Sequence, residues 1–320
     1  MRQAGRSDPE YVRLRAEAGL PLDALFRHPE WAARISLLPR RFGVDAIIFF
    51  QDILTPLGPM GAPFVFAPGP VTDKSIRTAA QVEALRLYDV ADELPFIAET
   101  FRLVHDELNG ELPVLGFAGA PLTLAFFLIE GKSFGDTAEH ALQFLSAEPR
   151  LAHQLLERLT TMTIEYLKWQ IEAGAAAVQL FESAAYLLTA SLYAEFALPY
   201  QQRIFAALKG TAPTIVFARE WDDLSSLDAA GADVISLSSR IAIADARKRL
   251  GEHRAFQGNL DNRLLAYGTP EAIREAARKC VASGQCRGHI FNLNHGLLPD
   301  TPYEHVLHLI HCVRNAPVPE

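Results

Sequence analysis

The sequence predicts an α/β fold, a (β/α)8 TIM barrel formed by a single domain over residues 1–320. Three observations support this prediction: helical stretches alternate with short β-branched runs, Gly stands at several helix-to-strand joints, and seven candidate strands occur. Repeated βα units form a parallel sheet covered by helices, and a count near eight favours a closed barrel. The candidate strands are 44–50, 113–116, 177–181, 214–217, 233–237, 254–257 and 289–293.

The chain opens on helices. Ser7 to Glu10 has the capping-box pattern, with Ser at the cap and Glu three residues later, and predicts a helix that ends near Gly19. A second helix is predicted over 29–40. Because the chain starts on Arg2 with no element ahead of it, we expect the first barrel strand to be lacking or distorted, and the native chain to extend upstream.

The first predicted strand, 44–50, leads into the most prominent candidate for chemistry, Asp52. Residues 55–70 follow with five prolines and three glycines, which predicts a long loop. Long loops in compact domains tend to be functional, and a carboxylate at the exit of a buried strand is placed as active-site groups are in α/β folds. The alternative is that Asp52 caps a turn or the next helix.

Residues 112–129 carry no charge and could pass for a membrane span on length alone. Pro113, Gly116, Gly119 and Pro121 divide this run, so a strand, a turn and a short helix are favoured. The other predicted helices are 79–90, 94–108, 192–208, 243–250, 270–283 and 303–313.

The composition is that of an ordinary globular enzyme domain, with 49% apolar and 21% charged residues in 320. A net charge of −8 and a pI near 5.7 argue against nucleic acid or an anionic membrane as the main partner. Three cysteines without paired spacing indicate neither a disulfide framework nor a metal site, and favour the reducing cytoplasm. The start of the chain has no apolar signal-peptide region.

Polar side chains follow three predicted strands, at the edge where a barrel gathers its catalytic groups. An arginine pair at the start of the chain, four residues apart, is able to project into the same mouth and bind carboxylates. The candidates are Asp52, the Phe181-Glu182-Ser183 end of the third strand, Asn292-Leu293-Asn294-His295-Gly296 after the seventh, and the pair Arg2 and Arg6.

Each candidate also has a purely structural interpretation. Arg2 and Arg6 could be solvated terminal charges, as is usual for the first residues of a chain. Glu182 could pair with a cation on a neighbouring strand, Ser183 could cap the next helix, and His295 could hydrogen-bond a turn. The chain has no Gly-rich phosphate loop with its lysine, no Gly-x-Ser-x-Gly and no His-Glu-x-x-His, so kinase, hydrolase and metalloprotease interpretations lose their usual support.

Several short motifs occur in a fixed order across essentially the whole chain. They are Met1-Arg2-Gln3-Ala4-Gly5-Arg6, Val44-Asp45-Ala46, Asp52-Ile53-Leu54, Gly116-Phe117-Ala118-Gly119-Ala120-Pro121, Gln179-Leu180-Phe181-Glu182-Ser183, Phe196-Ala197-Leu198-Pro199-Tyr200, Gln257-Gly258-Asn259-Leu260-Asp261, Asn292, His295-Gly296 and Pro299-Asp300. No single motif is specific, but the ordered set resembles the uroporphyrinogen decarboxylase family.

The resemblance implies a (β/α)8 barrel, generally a homodimer, that needs no metal or organic cofactor. It implies a carboxy-lyase that converts the four acetate side chains of uroporphyrinogen III to methyl groups, giving coproporphyrinogen III and carbon dioxide. By resemblance, Asp52 lies at the centre of the site and accepts hydrogen bonds from pyrrole N–H groups. The matching substrate-binding positions are Arg2, Gln3, Ala4, Gly5, Arg6, Asp52, Phe127, Ser183 and His295, with Arg2 and Asp52 as the catalytic pair.

Some positions depart from the family pattern. Phe127 stands where a substrate-binding tyrosine is usual, Gln51 where a small residue is usual, and Asn294 where a glycine is usual. Two alternatives therefore stay open. One is a zinc-dependent, corrinoid-linked methyltransferase of the same superfamily, although this chain has no His-x-Cys pair. The other is a barrel that binds a porphyrin without turning it over.

Overall fold

The structure is a computed structural model that describes residues 8–285 and 287–317. Its centre is a seven-stranded parallel sheet, and a separate two-stranded antiparallel hairpin covers one end. The strands are β1 (Ile47–Ile48), β2 (Val65–Phe66), β3 (Pro70–Val71), β4 (Val114–Gly119), β5 (Ala177–Glu182), β6 (Thr214–Ala218), β7 (Val234–Ser236), β8 (Ala255–Leu260) and β9 (His289–Leu293).

The parallel strands pair in chain order, β1-β4-β5-β6-β7-β8-β9, and β2 pairs with β3. Each crossover between neighbouring parallel strands contains at least one helix, as parallel pairing requires. Seven parallel strands in the described part of the chain match the predicted count. The fold is the α/β barrel class that the sequence predicts.

Helices surround the sheet. They are α1 (Pro9–Ala18), α2 (Leu22–Phe26), α3 (Pro29–Ser36), α4 (Ala79–Glu83), α5 (Val90–Glu93), α6 (Pro95–Leu108), α7 (Pro121–Glu130), α8 (Glu139–Ala147), α9 (Pro149–Glu172), α10 (Ala190–Phe196), α11 (Leu198–Leu208), α12 (Leu224–Ala229), α13 (Ile243–Leu250), α14 (Asn262–Tyr267), α15 (Pro270–Gly284) and α16 (Tyr303–Arg314). Short 3-10 helices cover Leu38–Phe42, Thr55–Leu57 and Ala185–Leu187. In the described residues, no helix combines the length and apolar character needed to span a membrane.

The first strand is shorter than predicted. Its ladder with β4 covers Ile47–Ile48, where the N–H of Ile47 donates to the carbonyl of Pro113 at 2.9 Å and the N–H of Phe49 to that of Leu115 at 3.3 Å. The predicted loop 55–70 is also more ordered than expected, since it contains a 3-10 turn and the first strand of the hairpin. Prolines are tolerated there because a two-stranded ribbon has only edge strands.

Several helix boundaries also differ from prediction. Asp8, not Ser7, caps α1, since its Oδ1 accepts the Glu10 N–H at 2.9 Å; Ser7 lies outside the described residues. The predicted helix 29–40 ends at Ser36 because Pro39 has no N–H to continue the helical bonding. Pro199 likewise divides 192–208 into α10 and α11.

The predicted helix 79–90 ends early, at Glu83. Asp89, within that range, is instead the cap of the short helix α5, where its side chain accepts the N–H of Ala91 at 2.9 Å. A capping residue has an extended backbone, so it ends any helix that approaches it from the N-terminal side.

A buried arginine stabilises the amino-terminal end of the sheet. Arg247 on α13 is 2% exposed, and its guanidinium donates hydrogen bonds to the carbonyls of Glu252 at 3.1 Å, of Gly284 at 3.2 Å and of Arg287. Its Cζ also lies 5.6 Å from the ring centroid of Phe256 on β8. One side chain therefore connects the turn before β8 to the turn before β9.

We expect Arg247→Met to lower the free energy of unfolding by about 3 kcal/mol, because the carbonyls of Glu252, Gly284 and Arg287 lose their shared donor at once. Urea denaturation measures this change. Arg249→Met, an exposed position on the same helix, is the matched control and should shift stability by less than about 0.5 kcal/mol. Equal effects of the two substitutions would contradict a structural role for the buried guanidinium.

Candidate active site

A cavity of about 410 Å³ opens at the carboxyl ends of the parallel strands. Its walls are mostly apolar, with Phe117, Phe181 and Phe217 on three successive strands. Asp52, Ser183 and His295 line the same cavity. The structure therefore brings together three of the residues that the sequence selects as site candidates.

A second, wider groove of about 920 Å³ runs between α1, α3 and α6. It contains none of the predicted site residues, and several of its charged side chains are already paired, such as Arg34 with Glu17 at 3.0 Å and Arg40 with Glu111 at 2.5 Å. The groove is shallow and far more open than the strand-end cavity. We place the candidate site in the smaller cavity.

Asp52 follows β1 in a tight turn. Its Oδ1 accepts the N–H of Leu54 at 2.8 Å, and its own N–H donates to Gln51 Oε1 at 3.1 Å. The structural alternative for Asp52 is thus correct in part, because the residue does cap a turn. The same carboxylate is half-buried and lines the cavity, so the turn fixes its position there.

Gln51 is a supporting residue to which the sequence analysis assigned no role. Its side chain is buried; Oε1 also accepts from Thr55 Oγ1 at 3.0 Å and Nε2 donates to the Phe26 carbonyl at 3.1 Å. These bonds join α2 to the turn that carries Asp52. The signal for this role in the sequence was that glutamine stands where the family usually has a small residue.

Ser183 follows β5 and is held by Thr123 on α7. The Thr123 Oγ1 accepts the N–H groups of Ser183 at 2.7 Å and Ala184 at 3.2 Å, and donates to Glu182 Oε1 at 2.6 Å. Ser183 does not cap the next α-helix, because Thr189 is the cap of α10. Thr123 was missed, although it is the only hydroxyl residue in the uncharged run 112–129.

Glu182 lies behind this wall and is 1% exposed. The possible ion pair with a neighbouring cation is wrong: in the described part of the chain its partners are neutral, Thr123 and the Gln201 Nε2 at 3.5 Å. Burial raises the pKa of Glu182 to about 7, because desolvation penalises the charged form, while the hydrogen bonds from Thr123 and Gln201 oppose the shift. A carboxyl group that titrates near neutrality therefore lies directly behind Ser183.

His295 follows β9, and its ring lies 5.7 Å from the ring of Phe217. Asn294 fixes the loop beside it, since its Oδ1 accepts the N–H of Asn262 at 2.9 Å and its Nδ2 donates to Ser239 Oγ at 3.2 Å. The amide that replaces the usual glycine therefore has a structural role. It joins the loop after β9 to the loop after β7 and to the start of α14.

The structure does not bring Phe127 to the cavity. This residue of α7 is 2% exposed in the main core, and its ring meets Phe64 edge-to-face at 6.1 Å. A ring without a hydroxyl has no polar group to present to a substrate, and burial is its favourable state. The remaining predicted positions, Arg2, Gln3, Ala4, Gly5 and Arg6, lie outside the described residues.

The sequence model of the family described as uroporphyrinogen decarboxylase (URO-D) matches residues 1–316. The chain belongs to the uroporphyrinogen decarboxylase family. Among curated relatives of that name, the protein of Geobacter metallireducens is 39% identical over 317 residues, covering 98% of this chain and 92% of the relative. That of Alkalilimnicola ehrlichii is 42% identical over 325 residues, covering 98% of this chain and 88% of the relative. That of Hahella chejuensis is 40% identical over 331 residues, covering 100% of this chain and 92% of the relative.

Solved structures support the barrel fold of this uroporphyrinogen decarboxylase family member. A methyltransferase from Methanosarcina mazei has a TM-score of 0.78 at 18% identity, covering 95% of this chain and 90% of that one. A B12-independent methionine synthase from Shewanella sp. W3-18-1 has a TM-score of 0.58 at 14% identity, covering 91% of this chain and 87% of that one. At these identities the likeness concerns the fold alone. The curated relatives are named as decarboxylases, so the methyltransferase alternative is not favoured.

We expect the buried Glu182 to make stability depend on pH. Its folded pKa of about 7 exceeds the ordinary value of 4.5, so the stability contributed by the protonated form is complete below pH 4.5 and is lost as pH rises through 7. Relative to Glu182→Gln, the parent should therefore lose up to about 3 kcal/mol between pH 5 and pH 8. Urea denaturation at the two pH values measures the difference.

Glu165→Gln on the exposed side of α9 is the matched control. Its effect on the free energy of unfolding should be the same at both pH values, because that carboxylate stays in water. If the difference between the parent and Glu182→Gln did not change with pH, a raised pKa of Glu182 would be wrong.

Proposed function

We propose that this protein removes the four acetate carboxyl groups of uroporphyrinogen III, giving coproporphyrinogen III and carbon dioxide. The observation that carries this proposal is the apolar strand-end cavity shared by Asp52, Ser183 and His295, in a chain of the uroporphyrinogen decarboxylase family. An anionic group fixed in such a cavity is suited to a reaction that develops positive charge on its substrate.

The chemistry requires an electron sink. Protonation of a pyrrole ring carbon gives an iminium cation, which accepts the electron pair as the bond between the acetate methylene and its carboxylate breaks and carbon dioxide leaves. The methylene then takes up a proton to become methyl, and the ring carbon loses its own. Asp52 would accept hydrogen bonds from pyrrole N–H groups and stabilise the cationic ring more than the neutral one, so its effect falls on the barrier.

The apolar walls strengthen this effect. Phe117, Phe181 and Phe217 exclude water around Asp52, and charges attract each other more strongly where the effective dielectric constant is low. The turn that holds Asp52 by the Leu54 N–H fixes the carboxylate before substrate arrives, so little reorganisation is needed during the reaction. Both features support a stabilising rather than an acid-base role for Asp52.

The other site residues are proposed to bind substrate. Arg6 and His295 would anchor carboxylates, Ser183 would donate a hydrogen bond, and Gln3, Ala4 and Gly5 would line the same loop. Arg2 is the proposed group for proton donation or for delivery of a protonated acetate, although arginine is a weak acid. Phe127 is removed from the proposed substrate contacts, because its ring is buried in the core.

We also propose that residues 1–320 form one barrel domain that assembles as a homodimer in the cytoplasm and needs neither metal nor organic cofactor. Light scattering should give twice the chain mass of 35.3 kDa. A mass equal to one chain at micromolar concentration would contradict the dimer.

We expect Asp52→Asn to lower kcat by about 100- to 1000-fold, because an amide cannot balance the developing cation. Anaerobic incubation with uroporphyrinogen III, followed by chromatography of the products, measures the loss. Asp45→Asn is the matched control: it lies just before β1, at the opposite end from Asp52, and is fully exposed. It should retain the parent's activity.

Two outcomes would contradict the proposal. A parent that binds the porphyrinogen without releasing coproporphyrinogen would instead be a binding protein, and Asp52→Asn with full activity would remove Asp52 from the mechanism. Thermal unfolding of both variants separates loss of chemistry from loss of fold.

A further inference from the structure

Arg219 lies at the rim of the candidate site, immediately after β6. The ladder pairs Phe181 with Phe217 and Glu182 with Ala218, and the Arg219 N–H continues it by donating to the Glu182 carbonyl at 3.0 Å. Arg219 is therefore the lateral neighbour of Ser183. Arg219 does not itself line the cavity, but Phe217, two residues before it, and Ser183, its lateral neighbour, both do.

The guanidinium of Arg219 is held by an aromatic ring. Its Cζ lies 4.1 Å from the centroid of Tyr186, in the loop that begins at Ser183, and the Tyr186 hydroxyl donates to the Gly135 carbonyl. The side chain is half-buried. Stacking on tyrosine restricts the planar group, which carries five N–H donors and is suited to a bidentate carboxylate partner.

The carboxylates next to Arg219 in the chain are bound by a different cation. Arg240 contacts Asp222 Oδ2 through Nε at 2.6 Å and lies 3.7 Å from Glu220 Oε2. Asp222 also accepts from the Ser238 hydroxyl. Arg219 has no ion pair with a carboxylate of the described residues, although this part of the rim is acidic.

The backbone is strained beside Arg219. Glu220 has φ of 50°, in the left-handed region that residues other than glycine seldom adopt. Such conformations cluster at active sites and ligand-binding segments. It lets the chain turn directly after Arg219, with the Arg240 side chain donating to the carbonyl of Glu220.

We propose that Arg219, stacked on Tyr186, binds a carboxylate side chain of the substrate at the rim of the cavity. The inference rests on the proposed function, because a porphyrinogen with eight carboxylates needs more cationic contacts than Arg2, Arg6 and His295 supply. Arg219 is a binding residue and takes no part in the bond changes. Its loss should therefore affect KM and leave kcat nearly unchanged.

The test compares Arg219→Met, Arg219→Lys and the matched control Arg240→Met, using anaerobic kinetics with uroporphyrinogen III. Removing one charge-assisted contact should raise KM about tenfold in Arg219→Met. Lysine should restore part of the affinity, because it keeps the positive charge but cannot bind a carboxylate through two parallel N–H groups. Arg240→Met should leave KM within about twofold, since the acids at the rim already occupy that guanidinium.

Binding of the unreactive, oxidised uroporphyrin III, followed by fluorescence, separates this inference from the proposed function. The parent could bind uroporphyrin III more tightly than Arg219→Met does and yet not turn over the porphyrinogen. The decarboxylase proposal would then be wrong, and the proposed role of Arg219 in binding a carboxylate would be supported. If Arg219→Met matches the parent in KM and in uroporphyrin binding, the Arg219 inference is overturned. If the parent neither binds nor reacts, both are overturned.

Discussion

The curvature of one parallel sheet determines where every group of the candidate site lies. Gln179 on β5 and Gln257 on β8 are three steps apart in the sheet, yet their side-chain amides exchange hydrogen bonds of 3.2 and 3.3 Å. A flat sheet would separate them by roughly 14 Å, at about 4.8 Å per strand. The curl brings the carboxyl ends of distant strands to one mouth, so residues more than 200 positions apart line a single cavity.

Local bonding then fixes each side chain at that mouth. Asp52 is oriented by its own turn and by Gln51, Ser183 by the Thr123 hydroxyl, and the loop of His295 by Asn294. None of these supports is an ion pair. In each of these hydrogen bonds the group that orients the site residue is neutral.

The sequence predicts the architecture well because its signals are local. Short runs rich in apolar residues, such as 177–181 and 289–293, and the glycines at helix ends predict the strands closely, since period and turn chemistry act over few residues. The strand at 44–50 is the main error in length. Its apolar pattern extends over seven residues, but pairing depends on the neighbouring strand, and the ladder with β4 has only Ile47 and Ile48 in register in the described chain.

The candidate site is predicted less completely, for a related reason. Asp52, Ser183 and His295 follow strand ends and are visible in the chain, whereas the role of Arg219 depends on the register between β5 and β6. Phe127, by contrast, was predicted to contact the substrate, but the structure does not place it at the cavity. A position taken from a family pattern carries the substrate contact only if the side chain keeps the polar group, and here the ring packs against Phe64 instead.

The Thr123 hydroxyl has one hydrogen to give and two lone pairs to offer, and all three are occupied by β5 and the loop that follows it. No capacity therefore remains at this hydroxyl for a water molecule. Sliding of α7 along the barrel would break these three hydrogen bonds or move the Ser183 backbone with the helix. The position of α7 is thus coupled to the strand end that carries Ser183.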